Sequence, residues 1–228
     1  MNVIIMCEES QSTCIEFRKK GHNAYSSDIQ NSSGGHPEWH IIGDCFKLFD
    51  GGTFICEDGS LCVIDKWDLL IGHPPCTYIT NCGIRWFNVE KYGYKAFDRW
   101  IDRFEAVLFF FRMFSEGKKK IGKVALENPV GYINHMLKPN QIIQPYYFGD
   151  ECSKTTCLWL YGLKPLLHLK KAGLFETNVT HVHKGEMTKS GSEKLFGIHT
   201  LSLSNKERSK LRSKSFKGIS EAMANQWG

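Results

Sequence analysis

Apolar residues fall along this chain in short bursts separated by polar turns, and the bursts follow two different periods. Val3 to Met6 is an unbroken apolar run of strand length. Ala24 to Ser27 is a half-polar second run ending at Asp28, and Ile41-Ile42 is a third that stops at Gly43-Asp44. Trp67 to Ile71, apolar apart from Asp68, closes at Gly72 and two prolines, and Val124-Ala125-Leu126 closes at Glu127-Asn128-Pro129. Short runs bounded by turn formers predict buried strands. Ser10 to Lys20 predicts a helix ended by Gly21. Lys95 to Glu116 predicts a long one, with Phe97, Ile101, Phe104, Leu108 and Phe111 spaced as the apolar stripe of an amphipathic helix. Gly117 caps it, and Lys118 to Lys120 form a solvated end. Between Phe54 and Ile64, apolar residues flank Glu57-Asp58-Gly59-Ser60, which predicts a hairpin on the edge of the sheet, inserted over 50–66.

Strand, turn, helix, strand and acid within the first 28 residues match the mononucleotide-binding half of a doubly wound sheet. The expected fold is therefore α/β: a mostly parallel, Rossmann-like sheet with helices on both faces. A core over 1–162 is followed by a small basic segment over 163–211 and a C-terminal helix over 212–228 that returns to the core. The 228 residues suit one domain. No internal repeat or low-complexity segment interrupts them.

Composition narrows the setting more than the function. No stretch approaches the roughly 20 apolar residues of a membrane span. The apolar run at the N-terminus is too short for a signal peptide. Nine cysteines form no Cys-x-x-Cys pair, which predicts reduced thiols and a cytoplasmic location. A net charge of +5 permits a nucleic-acid partner without requiring one.

The candidate chemistry gathers at the predicted strand ends. Pro74 and Pro75 stiffen the exit from the fourth main strand, placing Cys76 where open α/β sheets build their sites. A thiol there is either a nucleophile or a small buried hydrophobe. Asp28 has the place of a ribose acceptor, or is a solvated turn aspartate. The first turn, Cys7-Glu8-Glu9-Ser10-Gln11, holds no glycine, and its two carboxylates would repel a pyrophosphate. An adenosine-bearing ligand here should lack phosphates or carry positive charge. Residues 84–94, with Arg85, Trp86, Phe87, Tyr92 and Tyr94, read as a loop that stacks bases and neutralises phosphates, or as one pinned by its own aromatics. Glu127 would share an edge with Cys76. A thiolate attacks carbon 6 of a pyrimidine only if the ring's growing charge is offset, and a protonated carboxyl at ring nitrogen 3 does this when its pKa is raised. His181-x-His183 has no cysteine pair at metal-ligand spacing, so no metal is expected.

Gly72-His-Pro-Pro-Cys76-Thr-Tyr-Ile-Thr-Asn-Cys-Gly83 resembles the Pro-Cys nucleophile motif of DNA cytosine-5 methyltransferases, in particular compact phage-type members. Glu127-Asn128-Pro129 resembles their Glu-Asn-Val motif. Phe148-Gly149-Asp150, Lys154 and Leu158 to Gly162 are loosely similar to their Gln-x-Arg-x-Arg segment, and Phe216 to Gly228 to the last helix. The resemblance implies a class I methyltransferase fold in a phage host's cytoplasm. It also implies Cys76 as nucleophile, Glu127 at ring nitrogen 3 and Asn128 holding the Cys76 loop. S-adenosylmethionine, a sulfonium without phosphates, would lie against Cys7, Glu8 and Glu9 of the first turn, Asp28 and Ile29, Asp44, and Pro74. Arg85, Trp86 and Lys154 would meet a DNA substrate, or a nucleotide. The chain departs from the family in its glycine-free first turn and in a lone Lys154 where the family has arginines. Two other readings stay open: a donor-independent pyrimidine-modifying enzyme such as an N-glycosidase, and a non-catalytic nucleic-acid-binding protein.

Overall fold

The computed structural model describes residues 1–150, 154–168 and 215–228. Most of the basic segment, with His181 and His183, lies outside the described residues.

A seven-stranded sheet organises the chain. Its strands are β1 (Asn2–Met6), β2 (Asn23–Asp28), β3 (His40–Ile42), β6 (Leu69–Gly72), β7 (Val124–Pro129), β8 (Gln141–Ile143) and β9 (Thr156–Tyr161). They lie in the order β3-β2-β1-β6-β7-β9-β8. Neighbours run parallel from β3 to β7, whereas β9 runs antiparallel to both β7 and β8. Chain order reverses between β1 and β6, so both strands leave their carboxyl ends at the switch point, where doubly wound sheets open a crevice.

Strand alternation sends successive side chains to opposite faces, and each face has its own core. Val3, Ile5, Leu69, Ile71 and Leu158 pack with Phe17 of α1 (Ser12–Lys19) and with Met223 and Trp227 of the C-terminal helix, Lys217–Trp227. Ile4, Met6, Leu70, Leu126 and Trp159 pack with Val107, Phe110 and Met113 of the long helix Tyr94–Lys120. These two helices follow α2 (Val89–Tyr92) and the short α4 (Ile133–Met136), and are therefore α3 and α5. The return of the C-terminal helix is visible in the hydrogen bond between Thr13 and Ser220 hydroxyls, 3.1 Å. Among the described residues no helix is long and apolar enough to cross a membrane.

Three local expectations need correction. The hairpin, β4 (Gly52–Ile55) and β5 (Leu61–Ile64), forms a separate two-stranded sheet instead of extending the main one. Its turn is tied to the sheet edge where Glu57 N–H donates to the His40 carbonyl, 2.8 Å, and Cys56, Cys62 and Ile64 pack into the core beside Ile41. Residues 84–94 are largely helical: Asn81–Phe87 is a 3-10 helix, and the Asn88 side chain caps α2 by accepting from Lys91 N–H. Finally, Phe97, Ile101, Phe104 and Leu108 of α3 are exposed. The buried face carries Ala96, Arg103, Val107, Phe110, Met113 and Gly117, which lies inside the helix against Leu70 and Val124 instead of capping it. Both faces are apolar enough to satisfy the helical period, and the sheet takes the one whose small residues allow close approach.

Candidate functional site

The first turn builds its tight shape without glycine. Cys7 and Gln11 take positive φ, 60° and 58°, the left-handed region that costs a residue with a side chain. Gln11 is held there by its amide: Nε2 donates to the His36 carbonyl at 2.8 Å, and Oε1 accepts from His36 N–H at 3.1 Å. Glu8 turns inward and caps α1, its carboxylate accepting from Thr13 N–H at 2.7 Å and Cys14 N–H at 3.2 Å. The carboxylate form of Glu8 suits this position, since a negative charge is favourable at a helix start. Burial raises the Glu8 pKa, while the charge of His73 and these hydrogen bonds pull it back. Glu9 is buried with neither carboxylate oxygen hydrogen-bonded.

One strand over, β6 and β7 pair through Gly72 and Leu126. The next residues outward, His73 and Glu127, meet at the sheet edge, with imidazole Nδ1 2.8 Å from carboxylate Oε2. Their side chains are 12% and 16% exposed. Burial would push Glu127 up, but the hydrogen bond and charge of His73, with the charge of Lys154, hold it below the usual carboxylate range. Burial would likewise push His73 down, and the hydrogen bond and charge of Glu127 with the charge of Glu8 raise it instead, against Lys154. Hydrogen bond and mutual charge thus both favour the imidazolium–carboxylate form of the pair. The raised pKa expected for Glu127 is not found, because the His73 imidazole at 2.8 Å and the Lys154 charge outweigh the effect of burial.

Cys76 follows His73 by three residues, on a loop tied to the Glu127 strand at several points. Asn128 Nδ2 donates to the Pro74 carbonyl at 2.9 Å. Tyr132 N–H donates to the Ile79 carbonyl at 2.6 Å, and Thr80 bridges to Gly131. Arg103, buried in α3, donates from Nε to the Tyr78 carbonyl at 2.8 Å. Its guanidinium lies over Phe87, Trp100 and Tyr132. Cys76 itself is half-buried and in no disulfide.

On the other side of the switch point lies a cleft of about 340 Å³ lined by Cys7, Ser27, Asp28, Ile29, Asp44 and Pro75, among others. No protein-family model matches the chain, and no curated protein matches it. The case for function therefore rests on geometry.

The structure distributes the expected donor-binding residues unevenly. Cys7, Asp28, Ile29 and Asp44 share the cleft. Glu8 and Glu9 do not line it, and Pro75 stands there where Pro74 was expected, since the Pro74 carbonyl is turned to Asn128. Asp28 accepts from Gln30 N–H at 3.0 Å, and Asp44 accepts from Phe46 N–H at 2.9 Å. Arg85 and Trp86 are exposed, stacked guanidinium on indole at 4.9 Å. Lys154 sits near the acid–imidazole pair, its ammonium 5.4 Å from the Phe216 ring. Two contributors were not singled out from sequence, His73 and Arg103. A histidine one residue past a strand, facing a glutamate at the tip of the next strand, was a readable signal for the first. Among the described residues no cluster of three or more potential ligands could hold a metal.

Proposed function

We propose that the protein is an S-adenosylmethionine-dependent DNA cytosine-5 methyltransferase with a Rossmann-like class I fold. The observation that carries this is the joining of the Cys76 loop to Glu127-Asn128 across neighbouring parallel strands, beside a cleft bounded by Asp28 and Asp44. The two halves suit two reactants: a pyrimidine at the thiol and the acid, and a phosphate-free adenosine at the cleft.

In this reading the Cys76 thiolate bonds to carbon 6, the ring's electrons move toward nitrogen 3, and that nitrogen takes a proton from the Glu127 site. S-adenosylmethionine, which Cys7, Asp28 and Asp44 of the cleft would hold, would supply the methyl group that carbon 5 takes. Loss of the carbon-5 proton to a base expels the thiolate, and nitrogen 3 returns its proton. Chemistry on a duplex base requires flipping, and exposed Trp86 with Arg85 is suited to fill the vacated stack.

The test is covalent trapping. Fluorine at carbon 5 cannot leave as a cation, so fluorocytosine DNA with donor should leave Cys76 covalently attached. Cys76→Ser should form no adduct, and Glu127→Gln should form it far more slowly. Absence of an adduct on Cys76, found by mass spectrometry of the native protein, sinks the mechanism. A donor-independent pyrimidine enzyme is the second reading, favoured by the use of Glu8 as a helix cap in a glycine-free turn. Adduct formation that ignores S-adenosylmethionine, with no methyl transferred, would select it.

A further inference from the structure

We propose that His73 is a positioning residue for Glu127, fixing the carboxylate through Oε2 and storing the proton that the carboxyl must present to the pyrimidine. This rests on the methyl-transfer reading above and adds a residue to it.

The first support is placement. Gly72 and Leu126 are register partners, so the strands deliver His73 and Glu127 side by side at the carboxyl edge. The 2.8 Å contact engages Oε2 and leaves Oε1 as the oxygen not held by the imidazole. A carboxylate pinned at one oxygen and one strand tip has little orientational freedom left, which is the preorganisation a reacting group needs.

The second support is the other imidazole nitrogen. Nε2 is buried and has no hydrogen-bond partner. Leaving a buried polar atom unmet costs stability, and such costs concentrate where function requires them. His40, the buried histidine of β3, by contrast has both nitrogens engaged, with Ser26 and the Gln30 carbonyl.

The third support is proton accounting. An imidazolium beside a carboxylate has the same composition as an imidazole beside a carboxylic acid; one proton has moved from Nδ1 to the carboxyl group. When the thiolate adds to carbon 6, ring nitrogen 3 takes that proton, and the pair becomes imidazole and carboxylate. When the thiolate leaves, the ring proton returns to the pair. The groups facing the pair act on this equilibrium. Glu8, from the β1–α1 turn, favours the imidazolium, and Lys154, ahead of β9, opposes it. The Cys157 thiol of β9 feels the Glu127 charge and is pushed up, first by its burial.

The experiment measures the rate of Cys76 adduct formation on fluorocytosine DNA with donor, using the full chain, from roughly pH 5 to 9, the range in which histidine titrates. The native protein should show a bell, with thiolate formation on the acid limb and loss of the stored proton on the alkaline limb. In His73→Gln, Glu127 must hold the proton unaided, so the alkaline limb should move to lower pH by a unit or more while an adduct still forms on the acid side. A uniform fall in rate with an unmoved limb marks a structural role and overturns the inference alone. No native adduct at any pH overturns the methyl-transfer reading and this inference with it. Should His73→Gln not fold, imidazole titration by NMR decides: the His73 pKa should fall in Glu127→Gln, and an unchanged value overturns the pairing.

Discussion

Asn128 and Pro74 are 54 residues apart in sequence and joined by one buried hydrogen bond, amide Nδ2 to carbonyl oxygen at 2.9 Å. The proline carbonyl is held at the point where the chain turns toward Cys76. Replacing Asn128 with alanine leaves that carbonyl unmet in a buried setting, at a cost of about 1–3 kcal/mol. Denaturant unfolding should show the loss of stability, and trapping on fluorocytosine DNA should slow more than the stability loss accounts for. Native trapping rates in Asn128→Ala would separate the two loops functionally and defeat the proposal that this contact aims the nucleophile.

Gly131 tests the same junction by contact distance. A Cβ there would overlap the Ile79 carbonyl and press on Thr80. Gly131→Ala should therefore push the Cys76 loop off the Glu127 strand, destabilising the fold by about 1–3 kcal/mol as overpacking does. Adduct formation should be lost, whereas Val130→Ala at the neighbouring exposed position should leave both measurements near native.

The cleft predicts a split between two aspartates. Asp44 caps the 3-10 turn Cys45–Lys47 by accepting from Phe46 N–H. Asp44→Ala should thus cost about 1 kcal/mol of stability and also weaken S-adenosylmethionine by about 1–3 kcal/mol. Asp28→Ala should weaken the donor comparably, with a smaller effect on melting. Calorimetry that finds native affinity in both variants, or none in the native chain, removes the donor from this cleft.

The sequence revealed the strands more readily than the helix faces. β1, β6 and β7 are each built on a short apolar run followed by turn formers, so their existence and carboxyl ends were legible, and with them the shared edge of Cys76 and Glu127. The orientation of α3 was not. Arg103 and Gly117 sit on its buried face, where an apolar count treats them as outsiders. Likewise the charge on Glu127 depends on His73, a contact between two strand tips that only the register reveals. The glycine-free first turn takes left-handed positions at Cys7 and Gln11, and the side-chain hydrogen bonds that hold Gln11 reach residues 25 positions away, out of sight of local sequence.

The His73–Glu127 pair also gives stability a pH signature. Glu127 is held low, so its contribution is present above its ordinary value and lost as pH falls through the folded one. His73 is raised, so its contribution is complete below its ordinary value and lost as pH rises through the folded one. The pair should stabilise most between about pH 4.3 and 6.5. Glu8 adds an opposing slope, because a raised carboxyl loses stability as pH rises through its window. Urea unfolding across this range should show a maximum for the native chain that flattens in His73→Gln. Parallel curves for the two proteins would show that the pair does not contribute in this way.

Arg103 gives the long helix two unequal sides. Its single guanidinium group reaches the backbone of the nucleophile loop at Tyr78 and the rings of Phe87, Trp100 and Tyr132. The nucleophile loop, the 3-10 helix after it, α3 itself and the residues after β7 thus share one side chain. The outward side, with exposed Phe97, Ile101 and Leu108, is the side on which substitutions should leave the site's shape intact. The inward side offers no such freedom: a change at Arg103 would be felt along the Cys76 loop through the Tyr78 carbonyl.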